Sequence, residues 1–116
     1  MSSLRELVKK DNLTSQDLQE LLKARDEGKI NFKLIDIREP FEYEEAHIIG
    51  TDELLPTSRF QEWAKDLLDR EEDIIIYCRT GNRTGQVQAI LKQYGKTIPH
   101  LTYGIMSYDG EIESGM

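Results

Sequence analysis

The hydrophobic positions of the chain alternate between two spacings, one typical of amphipathic helices and the other of short buried strands. Helical spacing predicts four helices, at residues 15–26, 39–46, 56–68 and 82–94. Short apolar runs predict three strands, at residues 32–37, 73–77 and 98–101. The run Ile74-Ile75-Ile76 is apolar on both faces, which is typical of a central parallel strand covered by helices. The alternation predicts an α/β fold with a mainly parallel central sheet flanked by helices.

The length of the chain points to one domain. It has 116 residues, without repeats or a low-complexity linker, and single domains commonly have this size. We expect residues 1–14 to form an N-terminal segment with a short helix over 2–10, and residues 15–116 to form the domain. Residues 48–50 are expected to form a turn.

The charge balance is acidic, with 22 acidic and 15 basic side chains and a formal net charge of −7. Such a chain repels phosphate backbones, so a nucleic-acid partner or an anionic membrane surface is not expected. Neither a membrane-spanning apolar run nor the apolar core of a signal peptide is present. A cytoplasmic location is the resulting expectation.

Cys78 is the single cysteine of the chain, so an internal disulfide is excluded. The sequence has no Cys/His cluster with the spacing of metal ligands, and His47 and His100 stand isolated along it. We therefore expect no metal and no cofactor. Since no evident histidine partners the cysteine, a protease-type mechanism is disfavoured, and His47 is expected to be a turn residue.

Cys78 stands where the predicted central strand ends and a loop leads into the next helix. Ligands of open α/β sheets bind at the carboxyl ends of the strands, and a helix N-terminus directs N–H groups toward an anion. Arg79 and Arg83 add positive charge, and Gly81 gives the loop backbone freedom. These features favour a thiolate nucleophile. The alternative is that Cys78 is a small buried structural residue.

Three stretches of the chain resemble the rhodanese family. The loop at 78–84, CRTGNRT, is similar to that family's active-site loop. The stretch at 34–43, LIDIREPFEY, looks like its first signature and continues into HIIG at 47–50. The tail at 101–108, LTYGIMSY, is similar to its C-terminal signature. The resemblance covers about residues 15–110, with the motifs in the expected order.

The resemblance implies a three-layer α/β fold and a single-domain thiosulfate sulfurtransferase. In such an enzyme Cys78 would be the catalytic nucleophile, carrying a sulfane sulfur as a persulfide. The implied donor is a small anion, thiosulfate or a polysulfide, and the implied acceptor is a thiol, cyanide or a protein. The loop residues implied in substrate binding are Arg79, Thr80, Gly81, Asn82, Arg83 and Thr84.

Asp36 and Arg38 are supporting candidates near the end of the first predicted strand. We expect their side chains to point in different directions and one or both to brace the active loop, with a structural ion pair as the alternative. Tyr103 and Tyr108 replace the glycine and tryptophan common in the family, which leaves open whether they line the pocket.

Two further function classes remain as alternatives to an enzyme that turns over small donors. One is a sulfur-carrier or regulatory interaction module. The other is a cysteine-dependent phosphatase or arsenate reductase. The phosphatase reading is disfavoured because such enzymes usually have arginine six residues after the cysteine, where this chain has Thr84.

Overall fold

The structure is a computed structural model that describes residues 3–115. Met1, Ser2 and Met116 lie outside the described residues. These three include the first residues of the predicted N-terminal segment and of the helix expected over 2–10, and the last residue of the predicted domain. The helices are α1 (Leu4–Leu7), α2 (Ser15–Asp26), α3 (Pro40–Glu45), α4 (Phe60–Asp69) and α5 (Asn82–Gln93). The strands are β1 (Asn12–Leu13), β2 (Lys33–Asp36), β3 (His47–Ile48), β4 (Glu53–Leu54), β5 (Ile74–Tyr77), β6 (His100–Leu101) and β7 (Ile112–Glu113).

The main sheet has five parallel strands in the order β1-β6-β5-β2-β4. Strand β5 lies in the middle, and all four of its residues are buried, as expected of a parallel strand covered on both faces. Strands β3 and β7 form a separate antiparallel pair. The predicted α/β fold with a mainly parallel sheet is confirmed.

Successive residues of β5 face opposite sides of the sheet and so divide the core into two clusters. Ile75 and Tyr77 pack with side chains of α1 and α2 on one side. Ile74 and Ile76 pack with side chains of α4 and α5 on the other, in the cluster that also contains Cys78. Helices therefore cover both faces of the sheet, which makes three layers.

The N-terminal segment belongs to the same core. Leu7 and Val8 are buried in the cluster that contains Tyr77, and β1 pairs with β6 at the edge of the main sheet. Thr14 then caps α2, since its hydroxyl accepts the Asp17 N–H while the Asp17 carboxylate accepts the Thr14 N–H.

Several boundaries differ from those that the sequence predicts. Ile48 belongs to β3, so only the end of the expected 48–50 turn is a turn. A 3-10 turn at Thr57–Arg59 precedes α4, which begins at Phe60. Strand β7 follows the strand expected to be the last.

Candidate functional site

Cys78 directly follows β5, and its sulfur has polar neighbours although the residue is only 1% exposed. The N–H of Gly81 donates to Sγ over 3.1 Å. The hydroxyl oxygen of Thr84 lies 3.5 Å from Sγ. Cys78 is thus buried, as the structural alternative requires, but a loop amide is aimed at its sulfur, as a nucleophile site requires.

The remaining amides of the loop have no partner among residues 3–115. Within residues 3–115, the N–H groups of Thr80, Asn82, Arg83 and Thr84 donate to no protein acceptor. Three of them form the first turn of α5, where backbone donors lack an intrahelical acceptor. The loop that encloses Sγ therefore offers free donors of the kind that bind anions.

Two glycines let the C-terminal tail approach this loop closely. Gly81 has φ +99°, and a Cβ there would lie 2.0 Å from the Thr102 carbonyl oxygen. Gly104 has φ +69°, and a Cβ there would lie 2.2 Å from the Arg79 carbonyl oxygen. The N–H of Ile105 also donates to the Cys78 carbonyl over 2.9 Å. The tail thus fixes the backbone of the loop.

Arg83 is held by a carboxylate and does not act as a free cation. Its guanidinium donates to both oxygens of Glu42 at 2.8 and 2.9 Å. Hydrogen bonds from Arg83 are the main reason that the pKa of Glu42 falls to about 2. Both loop arginines were expected to add positive charge to the loop, but Glu42 balances the charge of Arg83. Arg79 is exposed, and no carboxylate within residues 3–115 pairs with it.

Asp36 and Arg38 form a buried ion pair next to the site. Asp36 is fully buried and accepts from Arg38 Nε and Nη2 at 3.0 and 2.8 Å. Burial opposes the charged guanidinium, but the hydrogen bonds and charge of Asp36 outweigh it and raise the pKa of Arg38. The expectation that the two side chains diverge was wrong, since residues two apart on an extended chain share one face.

An open cavity of about 730 Å³ lies next to the loop. Its lining includes Arg38, Arg79 and Arg83 but not Cys78. Tyr108 lines the cavity, whereas Tyr103 does not and is 66% exposed. The cavity therefore borders the loop through Arg79 and Arg83, and Cys78 itself does not line it.

The structure also places at the site a histidine that stands isolated along the sequence. His100, on β6, has its Nδ1 2.6 Å from the Thr84 hydroxyl oxygen. The sequence signal that could have identified His100 is its position on a strand expected to run parallel to β5, because such a strand lies close to the loop that follows β5. His47 lies in β3 instead of a turn, and its ring bonds to Glu113 and to the Tyr43 carbonyl.

No group of three or more His, Cys, Asp or Glu side chains in residues 3–115 is arranged to hold a metal ion. None of the helices in that range has the length and hydrophobicity needed to cross a bilayer.

The fold and the loop together define a three-layer α/β protein with a cysteine where the central strand meets a helix N-terminus. The chain belongs to the rhodanese-like domain family, whose family model matches residues 17–111.

Similar proteins agree with this assignment. The chloroplastic rhodanese-like/PpiC domain-containing protein 12 of Arabidopsis thaliana is 35% identical over an alignment of 85 residues that covers 70% of this chain and 28% of that protein. The thiosulfate:glutathione sulfurtransferase of Saccharomyces cerevisiae is 27% identical over 107 residues, covering 83% of this chain and 77% of that protein. The crystal structure of a rhodanese-related protein from Thermoplasma volcanium has a TM-score of 0.71 at 27% identity, covering 90% of this chain and 98% of that one.

The chain spans less than two thirds of the length of the first curated relatives that it matches. The relatives include proteins named for sulfurtransferase and for sulfur-carrier activity.

Proposed function

We propose that the protein is a sulfurtransferase that carries a sulfane sulfur on Cys78, taken from thiosulfate or a polysulfide. The observation that carries the proposal is the Gly81 N–H aimed at Sγ over 3.1 Å, in a loop whose other amides are unpaired within residues 3–115. A purely structural cysteine has no need of such a loop. Preorganised donors of this kind are typically the largest contribution to catalysis.

The reaction has two balanced steps. The Cys78 thiolate attacks the outer sulfur of thiosulfate, an S–S bond forms, and the bond to the inner sulfur breaks to release sulfite. An acceptor nucleophile then attacks the outer sulfur of the persulfide and regenerates the thiolate. The terminal sulfur of the persulfide is anionic between the two steps, and the loop amides are the groups that would stabilise it. The reaction needs neither a metal nor an organic cofactor.

Arg79 is the cation best placed to attract the anionic donor. It lines the cavity and is exposed, without a carboxylate partner in residues 3–115, whereas Arg83 is paired with Glu42. The side chains of Thr80 and Asn82 are exposed. We therefore expect these two residues to contribute to substrate binding through their backbone N–H groups. Asp36 and Arg38 would then support the site as a buried ion pair, in which Arg38 Nη2 also donates to the Ala46 carbonyl.

The rim of the cavity favours a protein acceptor, which makes a sulfur carrier the second candidate function. Phe41 is 64% exposed, Met106 63% and Ile112 50%, and all three line the cavity. Exposed apolar patches of this kind commonly mark protein contacts. Glu45 lines the same cavity, so a partner with basic residues beside its acceptor cysteine would fit this rim.

A discontinuous assay of thiocyanate release tests the enzyme proposal. The protein is incubated with thiosulfate and cyanide, and Cys78→Ala is the matched control. We expect turnover in the wild type and none in the variant. A stable persulfide that releases its sulfur only to a protein thiol would favour the carrier instead. Hydrolysis of a phosphotyrosine mimic that is lost in Cys78→Ser would favour a phosphatase and overturn the proposal.

A further inference from the structure

His100 is a buried titratable group that the proposed reaction does not use. Its side chain is largely enclosed, with 6% of the residue exposed. The ring bridges two elements of the fold. Nδ1 lies 2.6 Å from Thr84 Oγ1 on α5, and Nε2 lies 3.0 Å from Asn12 Oδ1 on β1. With the 3.5 Å approach of Thr84 Oγ1 to Cys78 Sγ, these contacts form one continuous chain of four side chains.

The chain of contacts defines which groups donate. The carbonyl oxygen of Asn12 only accepts, so His100 Nε2 carries the hydrogen. In the neutral ring Nδ1 is then the acceptor. The Thr84 hydroxyl donates to Nδ1 over 2.6 Å in preference to the Gly81 carbonyl oxygen, which lies farther away at 3.2 Å. This leaves a lone pair of Thr84 Oγ1 for the S–H of Cys78. Asn12 thus sets the tautomer of His100, and the tautomer sets the direction in which the Thr84 hydroxyl points.

We propose that His100 is a positioning residue that acts on Cys78 through the Thr84 hydroxyl and takes up the proton when the thiolate forms. The S–H bond of Cys78 breaks as an O–H bond forms on Thr84, and the former hydroxyl proton of Thr84 moves to His100 Nδ1. The products are a thiolate that accepts from Thr84 and an imidazolium that donates to Thr84 and to Asn12. No further reactant is needed.

The charges around the relay are compatible with this role. Burial lowers the pKa of His100, with a smaller opposing effect from Asp11, which favours the neutral ring in the resting state. The burial cost of the imidazolium is offset by the negative charge of the thiolate that forms with it. Asp11 is itself paired with Lys92 at 2.7 Å. On the sulfur side Arg83 interacts electrostatically with Cys78, and Glu42 balances the charge of Arg83.

Asn12 comes from outside the part of the chain that the family model matches, residues 17–111. Strand β1 is held against β6 by Gln88, whose amide donates to the carbonyls of Asp11 and Ile98 at 2.8 and 2.7 Å. The N-terminal segment thus has a role at the site, since it supplies Asn12, the outermost member of the relay.

The test measures how fast iodoacetamide alkylates Cys78 as a function of pH. Cys78 is the single cysteine, so total alkylation reports on it alone, without any sulfur donor. We expect His100→Gln and Thr84→Val each to move the half-maximal pH of alkylation upward, and to slow alkylation at pH 7 about tenfold for each pH unit moved. The double variant is expected to be no slower than either single variant, since both act through one relay.

His47→Gln is the matched control, because His47 is equally buried but bonds to Glu113 and Tyr43 instead. It is expected to keep the wild-type profile. A wild-type profile in His100→Gln, or effects that multiply in the double variant, would overturn the proposal. Because no sulfur donor is used, either result is separate from the outcome of the sulfur-transfer assay.

A measurement on the unaltered sequence covers the case in which a variant does not fold. The imidazole nitrogens of the two histidines are followed by NMR before and after Cys78 is capped with methyl methanethiosulfonate. We expect the ring-nitrogen signals of His100 to move on capping and those of His47 to stay. An unchanged His100 would contradict the relay.

Discussion

Replacement of Gly81 by alanine tests whether contact with the C-terminal tail holds the loop around Cys78. The added Cβ would stand 2.0 Å from the Thr102 carbonyl oxygen, whereas ordinary contact begins at 3.4 Å. The two backbones would have to separate by about 1.4 Å. Such a separation would move the Gly81 N–H away from its 3.1 Å contact with Sγ.

Gly95 provides the matched control at the other end of the same helix. Its φ is +83°, close to the +99° of Gly81, but a Cβ there would meet nothing within 4 Å. Both substitutions carry the left-handed penalty of about 1–2 kcal/mol. Only Gly81→Ala adds a steric cost, about 1–3 kcal/mol by analogy with overpacked cores. We therefore expect Gly81→Ala to be the more destabilising of the two by about 1–3 kcal/mol.

Urea unfolding followed by the fluorescence of Trp63, the single tryptophan, gives both free energies of unfolding. Alkylation of Cys78 under native conditions shows whether the loop has moved. Gly81→Ala is expected to change the alkylation rate, and Gly95→Ala is not. Equal destabilisation by the two substitutions, with equal alkylation rates, would refute the close-contact explanation.

Three further outcomes are expected from the same contacts. The pKa of Glu42 is lowered to about 2, so its pairing with Arg83 stabilises the fold above pH 4.5, and this stabilisation is lost as the pH falls toward 2. Glu42→Gln should therefore lower the free energy of unfolding by about 2 kcal/mol at pH 7. The free energy of unfolding of this variant should depend less on pH between 4.5 and 2 than that of the wild type. Arg38→Met leaves Asp36 buried and unpaired, which should lower the free energy of unfolding by about 3–5 kcal/mol in urea titrations. The control is Arg59→Met, which removes an exposed ion pair and should change the free energy of unfolding by less than about 1 kcal/mol. Because Cys78 is 1% exposed, methyl methanethiosulfonate should modify it faster than a bulky aromatic disulfide, and equal rates would contradict its enclosed position.

The larger elements could be predicted from the sequence because their apolar pattern extends over enough residues to show a periodicity. The limits of α2 were obtained correctly, and the central strand and the cysteine loop after it were placed correctly. The strands that were missed, such as β1 and β4, have two residues each. Two residues carry no periodicity, and their pairing depends on neighbours far away in the chain.

The contacts that define the site could not be predicted for a related reason. Glu42 and Arg83 are 41 positions apart, and His100 meets Asn12 across 88 positions. Such pairs follow from the order of strands in the sheet and from which face of a helix is buried. A one-dimensional pattern shows that Arg83 is charged, but it does not show that a carboxylate neutralises it.

The measurement that tests the central claim most directly is the intact mass of the protein after exposure to thiosulfate labelled with heavy sulfur at its outer position. We expect Cys78 to gain the mass of one heavy sulfur atom, cyanide to remove it as labelled thiocyanate, and Cys78→Ala to gain nothing. An unchanged mass in the wild type with thiosulfate, and again with polysulfide, would contradict the assignment of Cys78 as a sulfur carrier.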